Sequence, residues 1–154
     1  METIHYYQSP VGCLKLIATD NALTALHFVR KTSERAETKM PAHAIIQQTC
    51  NQLDEYFAGR RKTFELPLNL AGTPFQQKVW KALQQIPYGE TISYAQLAQS
   101  VGNPKACRAV GSANGKNPLA IIVPCHRVIN ADGKLGGYAS GLEKKKQLLD
   151  WEQK

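Results

Sequence analysis

The sequence predicts an α+β protein in two parts. A small antiparallel sheet with a helix comes first, and a mostly helical second part carries a helix-turn-helix and an active-site strand and loop. Three observations support this reading. The first thirty residues hold three strand-like runs, one of them partly alternating, punctuated by turn signals. From residue 73 onward, three capping-box patterns open helices. Between them lies one short apolar run that ends in a proline and a thiol.

Ile4–Tyr7, Cys13–Ala18 and Ala22–Val29 read as strands, separated by turns at Ser9-Pro10-Val11-Gly12 and Asp20-Asn21. Lys31–Lys39 is polar and reads as a loop. After Pro41, the residues Ile46, Cys50, Leu53 and Phe57 share one helical face, and Gly59 supplies the stop. Leu66–Gly72 fits neither period and reads as a linker. The expected domains are therefore 1–72 and 73–154.

Thr73-Pro74-Phe75-Gln76 joins a capping residue, a first-turn proline and a box partner. Phe75, Val79, Ala82 and Ile86 form the apolar stripe of that helix, which Pro87 ends. Ser93-Tyr94-Ala95-Gln96 opens a short helix, broken by Gly102-Asn103-Pro104. Asn103 can cap a second helix running to about Asn114. Two short helices about a glycine-containing turn make the helix-turn-helix pattern. Ser140-Gly141-Leu142-Glu143 opens the last helix.

Leu119–Val123 reads as a buried strand ended by Pro124, which cannot donate to a sheet ladder. Cys125 and His126 then sit where a rigid element gives way to irregular backbone, with Arg127 as a further positive group. A thiol needs such electropositive surroundings to react, since an ordinary buried cysteine is only an apolar filler. Adjacent side chains of extended backbone point apart, so a Cys125–His126 link needs a turn or a bridging water.

The chain carries a formal net charge of +7, unevenly spread. Residues 1–72 hold eight Lys/Arg against seven Asp/Glu; residues 73–154 hold eleven against five. The second half is the surface suited to a polyanion. No apolar run approaches the length of a membrane span, and no signal-peptide pattern opens the chain, so a cytoplasmic protein is expected. Cys13, Cys50, Cys107 and Cys125 lack CxxC spacing, which points away from zinc ribbons and thioredoxin-type sites.

Pro124-Cys125-His126-Arg127-Val128, Arg108-Ala109-Val110-Gly111, Asn117-Pro118, Pro87-Tyr88-Gly89, Ser93-Tyr94, Gly137-Tyr138 and Leu148-Leu149-Asp150-Trp151-Glu152 together resemble the O6-alkylguanine-DNA alkyltransferases. The resemblance runs in order through residues 73–154. It extends more weakly to 1–72, through Ser9–Gly12 and Tyr56–Gly59. It implies a ribonuclease H-like first domain and a second domain that binds DNA and accepts the alkyl group. It also implies irreversible transfer of an alkyl group from guanine O6 in double-stranded DNA to Cys125, once per molecule. O4-alkylthymine is a further candidate substrate. No cofactor and no metal are expected, and a monomer is.

By the same resemblance, His126 is a base acting through water, Glu152 orients it, and Asn117 is the hinge before the active strand. Arg108 enters the base stack in place of a flipped nucleotide, and Tyr94 turns a phosphate and meets the purine. Lys105, Ala106, Ser112 and Lys116 complete the DNA face; Val128, Tyr138, Ala139 and Ser140 line the guanine pocket. Ser140 replaces the family's more usual glycine, and either narrows the pocket or caps the last helix. Some members hold a structural zinc in the first domain, but Thr19 and Thr24 stand near the corresponding positions here. His5, His27 and His43 read as surface or half-buried. A Cys–His hydrolase, a lesion-sensing protein without transfer activity and a helix-turn-helix regulator are the rival readings.

Overall fold

A computed structural model describes residues 1–30 and 40–154. The loop expected at Lys31–Lys39 lies outside the described residues. The chain divides into two compact units, Met1–Leu70 and Ala71–Lys154.

In the first unit, strands β1 (Thr3–Ser9), β2 (Gly12–Ala18) and β3 (Leu23–Val29) form an antiparallel sheet in chain order. Ser9 pairs with Gly12, so Pro10-Val11 is a two-residue hairpin turn. Gly12 has φ 134°, a conformation glycine adopts freely. Alternate residues Leu14, Leu16 and Ala18 of β2 are buried on one face, Cys13 is buried on the other, and β2 packs against helix α1 (Ala44–Phe57). That helix is capped by the His43 side chain, buries Ile46, Cys50, Leu53 and Phe57 as expected, and is followed by Gly59 at φ 77°. His5 is buried rather than at the surface, because it faces inward from β1. The segment expected as a linker is partly pinned: Leu23 N–H donates to Pro67 O and Asn69 N–H donates to Leu23 O.

The second unit opens with α2 (Pro74–Leu83). Its capping box forms as expected, with Thr73 Oγ1 accepting from Gln76 N and Gln76 Oε1 accepting from Thr73 N. The buried face is Val79, Trp80 and Leu83, rotated from the expected stripe, because Trp80 Nε1 donates to Ala113 O at 2.9 Å. A two-residue strand β4 (Ile92–Ser93), not expected from the sequence, pairs in parallel with β5 (Val128–Ile129). Ser93 and Gln96 close the second box, opening α3 (Tyr94–Ser100).

Helix α4 spans Cys107–Gly115 and starts later than expected. Asn103 does not cap it. Ala106 N–H instead bonds Asn103 O, closing a turn over Pro104-Lys105. The last helix, α5 (Leu142–Trp151), has Gly141 at φ 99° as its N-cap, with no side-chain capping bond. The expected Ser140 box therefore does not form, and capping is not the role of Ser140.

The largest departure is Leu119–Val123, which is not a strand. All five residues are buried, yet the backbone coils: Ile122 N–H bonds Ala120 O and Val123 N–H bonds Leu119 O. Ile121 sits at φ 70°, the one positive φ among described non-glycine residues. A β-branched residue there stores strain of roughly 1–3 kcal/mol, which surrounding contacts must hold. No helix among the described residues is long and apolar enough to cross a membrane.

Candidate active site

Cys125, His126 and Arg127 form a single 3₁₀ turn after Pro124, all three buried. The turn replaces extended backbone, so the opposed side-chain directions of neighbours on a strand do not apply here. Its backbone is held from two sides. Asn114 Nδ2 donates to Cys125 O at 3.3 Å, and Val128 N–H bonds the same carbonyl. Asn117 braces the approach: Nδ2 donates to Val123 O at 2.7 Å and Leu119 O at 3.3 Å, while Oδ1 accepts from Leu119 N at 3.0 Å. One amide thus replaces the ladder that the coiled segment lacks.

His126 Nε2 lies 2.7 Å from Glu152 Oε2, with both side chains essentially inaccessible. Glu152 is the C-cap of α5, and its carboxylate reaches back to the His126 ring. The adjoining turn adds support, since Gln153 Nε2 donates to Gly89 O at 2.7 Å. Burial alone would raise the Glu152 carboxyl. The bonds from His126 and Arg127 outweigh it and hold the group well below the usual carboxylate range.

Burial pushes the His126 imidazole down, helped by Arg127 and Lys145 and opposed by Glu152. The imidazole is therefore neutral at neutral pH. With Glu152 ionised, Nε2 carries the proton and donates to it. Nδ1 then keeps its lone pair, and this buried atom has no hydrogen-bond partner among the described residues. The ring is set to accept a proton there.

Burial also pushes the Cys125 thiol up, against smaller opposing effects from Asn117, Tyr138 and Lys145. At rest it is a protected thiol, not a thiolate. The expectation that Arg127 supplies positive charge to the thiol is not met. Its guanidinium closes on Glu152 instead, through Nε at 2.8 Å and Nη2 at 3.0 Å. The cation acting on Cys125 is Lys145, which the sequence reading did not single out. Fully buried, it donates through Nζ to Gly137 O at 3.0 Å and to Leu135 O, and lies 5.7 Å from the Tyr94 ring centroid. Burial brings its pKa down to about 8. A lysine in a helix ordinarily reads as solvated, so no local signal could have found it.

Tyr94 stands at the start of α3, its hydroxyl 3.5 Å from Gly137 O. A Cβ on Gly136 would come within 3.1 Å of the Tyr94 ring, so glycine at 136 is what lets the two approach. Tyr94 also lines a cavity of about 420 Å³ with Ala95, Cys107, Asn130, Ala131 and Asp132. Val128, Tyr138, Ala139 and Ser140 do not line it. The Tyr138 hydroxyl is buried, and burial together with the nearby Cys125 raises its pKa. Val128 is buried in β5, Ala139 is exposed, and Ser140 is half-buried.

Lys105, Arg108, Ser112 and Lys116 are exposed and Ala106 is half-buried, while Val110, Ala113 and Asn114 turn inward. Helix α4 and its flanks therefore present one basic, small-residue face away from the core. Among the described residues no three His, Cys, Asp or Glu side chains gather as a metal site.

Residues 3–70 match the family described as 6-O-methylguanine DNA methyltransferase, ribonuclease-like domain, and residues 74–154 match its DNA binding domain. A methylated-DNA–protein-cysteine methyltransferase of Mycobacterium bovis is 50% identical over 153 residues, covering 97% of this chain and 93% of its own. One from Methanosarcina acetivorans is 47% identical over 148 residues, covering 95% of each chain. Among solved structures, Mycobacterium tuberculosis OGT in complex with DNA superposes with a TM-score of 0.87 at 49% identity, covering 97% of this chain and 92% of that one.

Proposed function

The chain belongs to the 6-O-methylguanine DNA methyltransferase family, and from that premise we propose how its own residues carry out the repair. The protein repairs DNA by direct transfer of an alkyl group to one of its own cysteines. The acceptor is Cys125. The observation that carries this assignment is the buried His126–Glu152 pair beside it, with His126 Nδ1 left as an acceptor without a partner among the described residues.

The sequence of events follows from the electrostatics. The resting thiol is protonated because it is buried, and this protects it from oxidation and from stray alkylating agents. When O6-alkylguanine arrives, His126 takes the thiol proton through a bridging water. Lys145 and the Tyr138 hydroxyl stabilise the thiolate. Sulfur attacks the alkyl carbon, a C–S bond forms, and the C–O6 bond breaks with its electron pair going to O6. The purine regains a proton at N1, so the proton lost by the thiol balances the one gained by guanine. Tyr94 hydrogen-bonds the purine. The thioether is stable, and the protein is spent after one transfer.

A buried thiol cannot reach O6 within a stacked duplex, so the base is flipped out. Arg108 fills the gap, while Lys105, Ala106, Ser112 and Lys116 meet the backbone. Val128, Tyr138, Ala139 and Ser140 wall the guanine beside Cys125, apart from the cavity that Tyr94 lines, and Ser140 narrows that wall relative to glycine. Residues 73–154 hold this machinery. The protein acts as a monomer. Its four free cysteines suit the reducing cytoplasm. The test is stoichiometry: mixed with excess duplex carrying O6-methylguanine, the protein should repair one lesion per molecule and stop. Repair continuing past one equivalent would make it a hydrolase.

A further inference from the structure

Arg127 lies next to the proposed base, yet no step of the transfer uses it. Its side chain is buried, and its donors have fixed destinations. Nε and Nη2 grip the two oxygens of Glu152 at 2.8 and 3.0 Å, and Nη1 donates to Ile86 O at 2.8 Å. The Tyr88 ring lies 5.6 Å from the guanidinium carbon. Glu152 Oε2 accepts from both Arg127 Nη2 and His126 Nε2. One carboxylate is thus shared by a permanent cation and a titratable ring.

Sharing has a consequence for the ring. A buried carboxylate alone beside an imidazole favours imidazolium, because the opposite charge is unopposed. A carboxylate already forked by arginine forms a neutral pair and exerts much less pull, while its oxygens still accept the imidazole N–H. An imidazolium has no lone pair at Nδ1 and cannot take a proton from the thiol.

We infer that Arg127 is a positioning residue for the transfer: by neutralising Glu152 it lets that carboxylate orient His126 without converting it to imidazolium. This rests on the proposed roles of Cys125 and His126. The charged and titratable groups acting on His126 are Glu152 at the end of α5, Lys145 within α5 and Arg127 from its own turn. Tyr88, near Arg127 and Glu152, stays neutral because burial and Glu152 raise its pKa. Both cations oppose the pull of Glu152, and Arg127 grips its carboxylate directly.

The test measures single-turnover transfer against pH for the full chain and for Arg127→Gln and Arg127→Lys. The His126 ring is followed in parallel by ¹⁵N NMR. In Arg127→Gln the acidic limb should move up by about one pH unit, slowing transfer about tenfold at any pH on that limb, with recovery at higher pH. The NMR titration of His126 should move with it. Arg127→Lys keeps the charge and should leave the limb near its wild-type position. An unmoved limb in Arg127→Gln, or equal losses at every pH in both variants, would overturn the inference. Should Arg127→Gln not fold, the wild-type spectrum decides. A neutral Nε2–H ring at pH 7 is expected, and imidazolium at pH 7 overturns the proposal. Failure of the wild type to methylate Cys125 would instead count against the proposed function, and the NMR arm would still test Arg127.

Discussion

Arg127 and Glu152 stand 25 residues apart and meet as a two-pronged ion pair, with Nε 2.8 Å from Oε1 and Nη2 3.0 Å from Oε2, both side chains buried. This pair ties the last acidic residue of the chain to the turn that holds the thiol.

Breaking the pair from one side leaves a buried charge unopposed. Glu152→Ala should therefore destabilise the second unit by about 3–5 kcal/mol, measured by denaturant unfolding. Glu152→Gln, which keeps the shape, should lose less. A Glu152→Ala protein as stable as wild type would contradict the pairing.

The same carboxylate predicts an acid response. Its folded pKa is depressed below the ordinary value of 4.5, so it contributes stability that is present above about pH 4.5 and lost as the pH falls further. Unfolding free energy should decline below pH 4.5 with a slope of up to about 1.4 kcal/mol per pH unit from this group. Glu152→Gln should lack that component. Identical acid profiles for the two proteins would refute the assignment.

Asn117 substitutes for a strand ladder over Leu119–Val123. Asn117→Ala orphans the Val123 carbonyl and should cost about 1–3 kcal/mol, lowering the melting temperature and slowing transfer. Unchanged melting with unchanged transfer would show that the coiled segment holds itself.

Much of this fold was legible because its signals are local. The β1–β3 meander, the α1 face and the capping boxes at Thr73 and Ser93 each need only a few neighbouring residues. Leu119–Val123 misled because an apolar run announces burial but not backbone shape. Its hydrogen bonds come from the Asn117 side chain and from turns that bring Ile121 to positive φ. The Ser140 box failed because Gly141 takes the capping position. Cys125, His126 and Glu152 could be named through resemblance, whereas Lys145 and Asn114 could not be found. Their partners are backbone carbonyls, and carbonyls leave no trace in a sequence.

Arg108 should matter only where a base must leave a duplex. Arg108→Ala should slow repair of O6-methylguanine in duplex DNA by tenfold or more, on the order of the few kcal/mol that flipping costs. It should leave reaction with free O6-benzylguanine nearly unchanged. Equal losses on both substrates would rule out a flipping role.

The central claim is that one thiol among four receives the alkyl group. Peptide mapping by mass spectrometry, after reaction with duplex DNA carrying O6-methylguanine, tests it most directly. A single methyl on Cys125, with Cys13, Cys50 and Cys107 unmodified, and no transfer by Cys125→Ser, is the predicted result. Methyl on another cysteine, or transfer surviving Cys125→Ser, would contradict it.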